Sequence, residues 1–320
     1  MVDKNSGNFS YPAQLGIFLG LTGAGVLIGS LMSIAIWMAM TGRPILAIET
    51  DILNPKYYNA LMWMQAVSTL FMFFLPVYFF ALICYRRPFQ FMGFNKRIGP
   101  QQVLLVVGIL VFTFPLSGAL AEVTKIIPIP KDWEIKFKAM EAAREAQEAV
   151  LININSFSRY IFSMIIIALL PAIFEEVCFR GGLQNILTRW SKGPWMAIIV
   201  TAFIFSFIHM SYYGFLVRFA LGIILGLVFY YSGNLWLCII FHFLYNGLQV
   251  TVLYAINESG KNIPKDIEES FPLWAGIIAL ILIVYAFIFF KKYSLLRQEK
   301  YQLPISEDPN DFHNWITKEF

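Results

Sequence analysis

Residues 171–182 read Pro-Ala-Ile-Phe-Glu-Glu-Val-Cys-Phe-Arg-Gly-Gly, and they place two carboxylates and one guanidinium in an otherwise apolar segment. Residues 160–170, just upstream, carry no charge. A charge at membrane depth is costly and therefore marks a candidate functional site. On a helix, Glu176 and Arg180 are four residues apart and can pair, whereas Glu175 points about 100° away. A carboxylate without a partner in a poorly solvated site is a candidate general base.

The composition is that of a membrane protein. The chain is 58% hydrophobic and 14% charged, with a mean hydropathy of +0.64, which predicts an all-α polytopic membrane protein rather than a soluble domain. The net charge of +4 comes with no basic run of the nucleic-acid-binding type, so we expect no nucleic-acid partner. Cys84, Cys178 and Cys238 show no CxxC spacing and are expected to be free, buried thiols.

Eight apolar runs separated by polar segments predict about eight transmembrane helices. The first run follows a single Lys4 and is long enough to span the bilayer, so we expect a retained helix rather than a cleaved signal peptide. The runs lie at residues 12–40, 57–85, 101–121, 156–190, 194–210, 214–231, 235–255 and 272–290.

The polar segments divide the chain into five parts. Within the second part, residues 131–150 are charged and favour a helix. Trp133, Phe137 and Met140 recur there at helical spacing, which predicts a helix on the membrane surface; a solvated connector is the alternative. The parts are the N-terminal helices (1–121), a polar connector (122–155), a catalytic transmembrane core (156–255), a loop with the last helix (256–292) and a polar tail expected to be partly disordered (293–320).

Basic residues in short loops predict that both termini are cytoplasmic, in the plasma (inner) membrane if the chain is bacterial. Arg86 and Arg87 place the loop after the second run inside, and with eight spans Lys291 and Lys292 also lie inside. The connector opposes this orientation, because residues 122–157 carry five Lys or Arg residues and would lie outside. Its length and its many Glu residues weaken that objection.

Two of the three histidines lie in apolar runs, and the third, His313, lies in the polar tail, where we expect it to be solvated. His209 ends the motif Phe-x-x-x-His, and His242 is four residues before Asn246, on the same helical face. Such groups would be costly if they faced lipid. We therefore expect them to converge with the glutamates on one water-containing cavity.

This set of side chains suits two chemistries. In the first, Glu175 takes a proton from water, His209 positions that water, and His242 with Asn246 stabilises an oxyanion. In the second, Glu175, His209 and His242 are candidate ligands of Zn²⁺, which activates the water. Both hydrolyse a peptide bond. Neither uses Cys178 as a nucleophile, and a small packing residue is the favoured reading of that thiol.

The motifs Glu-Glu-x-x-x-Arg, Phe-x-x-x-His and His-x-x-x-Asn, in this order, resemble those of the CAAX-protease and bacteriocin-processing family of intramembrane proteases, the type II CAAX prenyl endopeptidase kind. The resemblance covers about residues 156–250 and extends to the Gly222-Ile-Ile-Leu-Gly226 segment. It implies an endopeptidase in which Glu175 and His209 activate water. His242 and Asn246 would stabilise the transition state, and Glu176 and Arg180 would support the site.

The resemblance leaves the cofactor and the substrate open. The family has been described both as metal-dependent, with zinc, and as a metal-free glutamate protease. Its eukaryotic members cut after a prenylated cysteine, and many bacterial members are linked to bacteriocin maturation, self-immunity or regulated proteolysis. The implied partners are the lipid bilayer and a membrane-associated peptide or protein, lipidated or not. The alternatives are a transporter or channel with a proton relay through the same groups, and a non-enzymatic immunity protein.

Overall fold

The computed structural model describes residues 9–95, 98–151, 154–259 and 271–300. It is 86% helical and forms no strand in these ranges, which confirms the all-α prediction. The polar tail was predicted to begin at residue 293, but the last helix continues to Lys300. Residues 301–320, with His313, lie outside the described residues, as do Lys4 and residues 260–270. The helices are α1 (Tyr11–Thr41), α2 (Pro55–Cys84), α3 (Pro100–Ile126), α4 (Lys131–Leu151), α5 (Phe157–Ser191), α6 (Pro194–Phe207), α7 (Phe215–Ser232), α8 (Leu235–Glu258) and α9 (Leu273–Lys300).

Seven of the described helices are long and apolar enough to cross a membrane, and these are α1, α2, α3, α5, α7, α8 and α9. The run predicted as a span at 194–210 instead forms the shorter helix α6. Its 14 residues rise about 21 Å, less than the ~30 Å hydrocarbon core. The chain turns after Phe207, and Met210 adopts a left-handed backbone conformation with φ of 50°. The helix therefore ends just before His209.

Prolines shape the long helices. Pro55, Pro100 and Pro194 each stand at the start of a helix, where a missing N–H costs nothing. Pro76 and Pro171 instead lie inside α2 and α5, and each follows a π-helical turn. Because proline cannot donate to the preceding turn, the backbone there widens locally.

Helix α5 lies at the centre of the bundle. Residues 175–189 are all buried, so the half of α5 that contains the glutamates is surrounded by other helices on every side. Gly182 allows the closest of these approaches, because a Cβ there would lie 2.7 Å from the ring of Phe18 in α1. On another side, the rings of Phe179 and Phe205 meet edge to face at 5.1 Å, which packs α5 against α6. The charged stretch is thus enclosed by protein rather than exposed to lipid.

Helix α7 packs closely on α6 through the two glycines of its GxxxG pattern. A Cβ on Gly222 would lie 2.7 Å from Cβ of Ala202, and one on Gly226 would lie 2.9 Å from Ile198. Any larger side chain would push the helices apart. The predicted close packing is therefore confirmed, and it brings α7 within reach of the polar face of α5.

Candidate active site

A buried carboxylate, that of Glu176, binds two polar side chains, Arg180 on its own helix and His242 on α8. Glu176 Oε1 accepts hydrogen bonds from Arg180 at 2.7 Å and from His242 Nδ1 at 2.8 Å. Glu176 and Arg180 are fully buried, and His242 is 8% exposed. Because an ionised carboxylate only accepts, His242 Nδ1 carries a proton and Nε2 remains available. The pairing of Glu176 with Arg180 is as predicted, whereas the bond to His242 was not anticipated.

Arg180 ties this carboxylate to two further helices. Its Nη2 donates to the carbonyl of Gly222 in α7 at 3.2 Å. The guanidinium also lies 4.9 Å from the ring centroid of Phe205 in α6, which is a cation–π geometry. One turn along α5, Gln184 repeats the pattern and donates to the carbonyl of Gly226 at 2.9 Å. These contacts fix the rotation of α5 relative to α7.

His209 lies just beyond the end of α6, not within a helix as the apolar run suggested. Its Nδ1 lies 2.7 Å from the carbonyl oxygen of Phe205. Since a carbonyl can only accept, Nδ1 carries a proton, and Nε2 is free to bind a water. The ring of Phe205 meets the rings of both His209, at 5.1 Å, and His242, at 6.3 Å. One aromatic side chain therefore separates and orients the two imidazoles.

Glu175 differs from the adjacent Glu176 in its contacts. It is 9% exposed, and it makes no hydrogen bond or ion pair with the residues that the structure describes. Even so, it is close enough to His242 and to Arg218 of α7 to interact electrostatically with both. His209 likewise interacts with His242 and Arg218. The structure thus bonds Glu176 to Arg180 and His242, while Glu175 and His209 each lie within electrostatic range of His242.

Asn246 follows His242 by one turn of α8 and is partly buried. It makes no hydrogen bond with any other described residue. Its side-chain amide is therefore available as a donor on the face of α8 that carries His242. The predicted role of Asn246 in binding an oxyanion remains a prediction.

The candidate metal ligands do not fit a zinc site in this arrangement. A protein zinc site needs three or four converging nitrogen, sulfur or oxygen ligands. Within the described ranges, no group of three His, Cys, Asp or Glu side chains has the spacing of such a site. The Nδ1 contacts of His242 and His209 leave both Nε2 atoms free, as in metal-binding histidines, so the misfit lies in the spacing of the side chains. We therefore derive no reaction step through a metal.

The three cysteines are free and buried, as predicted. Cys178 is 3% exposed in α5, and Cys238 in α8 points its thiol at the carbonyl of Leu225, at 3.5 Å. Neither thiol has a histidine hydrogen bond that would activate it, as judged from the described residues. Both are packing residues in this structure.

Residues 157–248 match the family model described as "Rce1-like: Type II CAAX prenyl endopeptidase Rce1-like". The match supports the resemblance of this segment to the CAAX-protease family that the motifs predicted. The matched segment runs from the start of α5 into α8 and contains all six predicted site residues of the CAAX-protease motifs. Comparisons with curated proteins and with solved structures gave no significant match.

One set of contacts beside the matched segment was not predicted from the sequence. Helix α4, outside the matched segment, packs on the loop that follows His209. Ser211 donates to Glu141 at 3.0 Å, and the rings of Phe137 and Tyr212 stack at 4.6 Å. The helical spacing of Phe137 indicated an apolar face on α4, but it could not indicate which surface that face would meet.

Proposed function

We propose that this protein is an intramembrane endopeptidase that hydrolyses a peptide bond in a membrane-associated substrate. The observation that carries the proposal is the contrast between two adjacent carboxylates. Glu176 is bound by Arg180 and His242, whereas Glu175 is buried beside them with no bonded partner among the described residues. A general base needs such a free carboxylate next to fixed polar groups.

In the proposed reaction, Glu175 takes a proton from a water that His209 Nε2 orients. The hydroxide attacks the carbonyl carbon of the scissile bond and forms a tetrahedral oxyanion. The C–N bond then breaks as Glu175 returns the proton to the leaving amine, which gives a free carboxylate and a free amine. The cycle consumes one water and leaves Glu175 ionised, ready for the next turnover.

The oxyanion requires donors, and α8 supplies two candidates. The Asn246 amide donates without any change of charge. His242 donates through Nε2 only as an imidazolium, because its Nδ1 proton is already engaged by Glu176. Glu176 therefore has a second role in the proposal, since its bond to Nδ1 fixes the orientation of the His242 ring. The two donors together form an oxyanion hole on one helical face.

The family description supports a peptide substrate that is held at the membrane, with a prenylated C-terminal segment as the proposed class. A lipid anchor would deliver the peptide from the bilayer to a site that lies among spanning helices. We further propose that the short loop after α2 is cytoplasmic, because it carries Arg86 and Arg87. The prediction of two cytoplasmic termini required eight spans, and the seven described spanning helices do not support it.

The test is cleavage of a fluorogenic peptide with a farnesylated cysteine by protein reconstituted in liposomes. We expect turnover by the wild type and none by Glu175→Gln or His209→Gln, while the matched control Glu145→Gln on exposed α4 surface stays active. Thermal unfolding of each variant shows that it is folded. Turnover by folded Glu175→Gln would overturn the mechanism. An inactive wild type that conducts protons in the same liposomes would support the transporter reading instead.

A further inference from the structure

The loop between α6 and α7 carries His209 and needs support from outside the core. Its residues 208–214 lie between the end of α6 at Phe207 and the start of α7 at Phe215. Met210, next to His209, has a φ of 50°, a left-handed conformation that is strained for a residue with a Cβ. A strained conformation of this kind persists only where the surroundings hold it. What holds the loop therefore also determines where His209 lies.

The first support is a hydrogen-bond relay through Ser211, which is 6% exposed. Its hydroxyl donates to Glu141 Oε2 of α4 at 3.0 Å and accepts from the backbone N–H of Gly214 at 3.1 Å. One side chain thus closes the turn internally and joins it to α4.

The second support is an aromatic stack. Phe137 of α4 lies on Tyr212 with ring centroids 4.6 Å apart and ring planes 2° apart. Phe137 precedes Glu141 by four residues, so both contacts come from the same face of α4. Together they hold two successive residues of the loop, Ser211 and Tyr212.

The carboxylate of Glu141 is itself held in place. Arg144 donates to Glu141 and to Glu148, the residues one turn before and after it on α4. Arg218 of α7 also acts electrostatically on Glu141. The far end of α4 is anchored separately, where Val150 lies in a buried cluster with Trp37 of α1 and with Ala60 and Leu61 of α2. Helix α4 is therefore held in place both near Glu141 and at its C-terminal end.

We propose that α4 is a positioning element of the active site, in which Phe137 and Glu141 hold the Ser211–Tyr212 turn and thereby fix the orientation of His209. This inference rests on the proposed function, because His209 is taken as the group that orients the water. The three side chains Phe137, Glu141 and Ser211 are positioning residues: they act through His209 and do not touch the substrate.

The kinetic test compares variants of this contact with matched variants elsewhere on α4. Ser211→Ala, Glu141→Ala and Phe137→Ala should each lower kcat by roughly 10- to 100-fold, the effect of a small misplacement of a catalytic group, with KM nearly unchanged. Ser211→Thr and Glu141→Gln retain the hydroxyl and an acceptor oxygen and should restore most of kcat. Ile135→Ala and Glu145→Ala, on exposed positions, should match the wild type.

A second readout does not depend on peptidase activity. The chain has only three histidines, so protein labelled with ¹⁵N-histidine gives few imidazole signals, and those of His209 are identified by their loss in His209→Gln. Ser211→Ala and Phe137→Ala should shift or broaden the His209 signals and leave those of His242 in place. Phe137→Leu replaces Phe137→Ala if the latter does not fold.

The outcomes separate the two proposals. If the wild type cleaves no peptide, the proposed function fails, and the imidazole spectra still decide whether α4 positions His209. If the wild type cleaves but Ser211→Ala and Phe137→Ala have its kcat and its His209 signals, the positioning role is overturned. A rise in KM alone in these variants also overturns it, because α4 would then contact the substrate.

Discussion

Glu176 Oε1 lies 2.8 Å from His242 Nδ1, and this bond joins α5 to α8 across 66 residues of sequence. The same oxygen accepts from Arg180, one turn further along α5. Two adjacent glutamates on one helix are thereby given different tasks. Glu176 is a structural acceptor for Arg180 and His242, and Glu175, which has no bonded partner among the described residues, is the proposed general base.

This division of tasks predicts opposite stability effects for the two glutamates. Removal of one partner of a buried ion pair costs about 3–5 kcal/mol, so Glu176→Ala should markedly lower the free energy of unfolding, because Arg180 is then left uncompensated. Glu175→Gln removes no bond in the described structure and should leave stability near that of the wild type. Thermal unfolding in detergent measures both. Equal loss in the two variants would show that Glu175 is also a structural group.

Arg180→Lys tests the geometry of the pair rather than its charge. The guanidinium donates to Glu176 from Nη1 and to the carbonyl of Gly222 from Nη2, and its carbon lies 4.9 Å from the ring centroid of Phe205. A lysine ammonium cannot satisfy all three contacts. We expect the stability of Arg180→Lys to lie between those of the wild type and Arg180→Ala. We also expect a lower kcat, because Glu176, which accepts from His242, is held less firmly. A Lys variant with wild-type stability and kcat would show that only the charge matters.

The bonds of Glu176 also show which contacts can be predicted from a sequence and which cannot. The bond between Glu176 and Arg180 was predictable, because a spacing of four residues places both on one face of a helix. The bond to His242 was not, because the rotation of α8 relative to α5 depends on packing that no local pattern encodes. The position of His209 beyond the end of α6 was missed for a similar reason. The apolar run continues past Phe207, and only the turn at Met210 ends the helix.

Close packing of α7 on α6 predicts that the glycines of α7 cannot be replaced by larger residues without a loss of stability. Gly222→Ala would place a methyl group 2.7 Å from Cβ of Ala202, and overpacking of this kind costs about 1–3 kcal/mol. Gly108 in α3 is the matched control, because a Cβ there meets nothing within 4 Å. Gly108→Ala should be neutral or stabilising, since alanine favours a helix over glycine by roughly 0.5–1 kcal/mol. The melting temperature should therefore fall for Gly222→Ala and stay equal or rise for Gly108→Ala.

The contact between α4 and the loop should weaken in acid. Partial burial raises the pKa of the Glu141 carboxyl, but hydrogen bonds from Arg144 and Ser211 and the charges of Arg144 and Arg218 outweigh it, so the pKa lies below the ordinary value of 4.5. A carboxyl with a lowered folded-state pKa contributes stability above its unfolded pKa, and that stability is lost as pH falls through the folded pKa.

The measurement is the difference in melting temperature between the wild type and Glu141→Gln as a function of pH. We expect a constant difference near pH 7 that shrinks below about pH 4.5, where the carboxyl of the unfolded chain begins to be protonated. Glu145→Gln, at an exposed position of the same helix, should show no such trend. A difference that grows in acid would contradict the assignment of the charged contact to Glu141.

Removal of metal should leave peptidase activity intact. No three ligating side chains of the described residues converge with the spacing of a metal site. The proposed mechanism therefore gives water activation to Glu175. We expect substoichiometric zinc by elemental analysis of purified protein, and unchanged kcat after dialysis against a chelator. Zinc at one per chain that disappears in Glu175→Gln and His209→Gln, together with loss of activity on chelation, would identify these side chains as metal ligands and replace the mechanism proposed here.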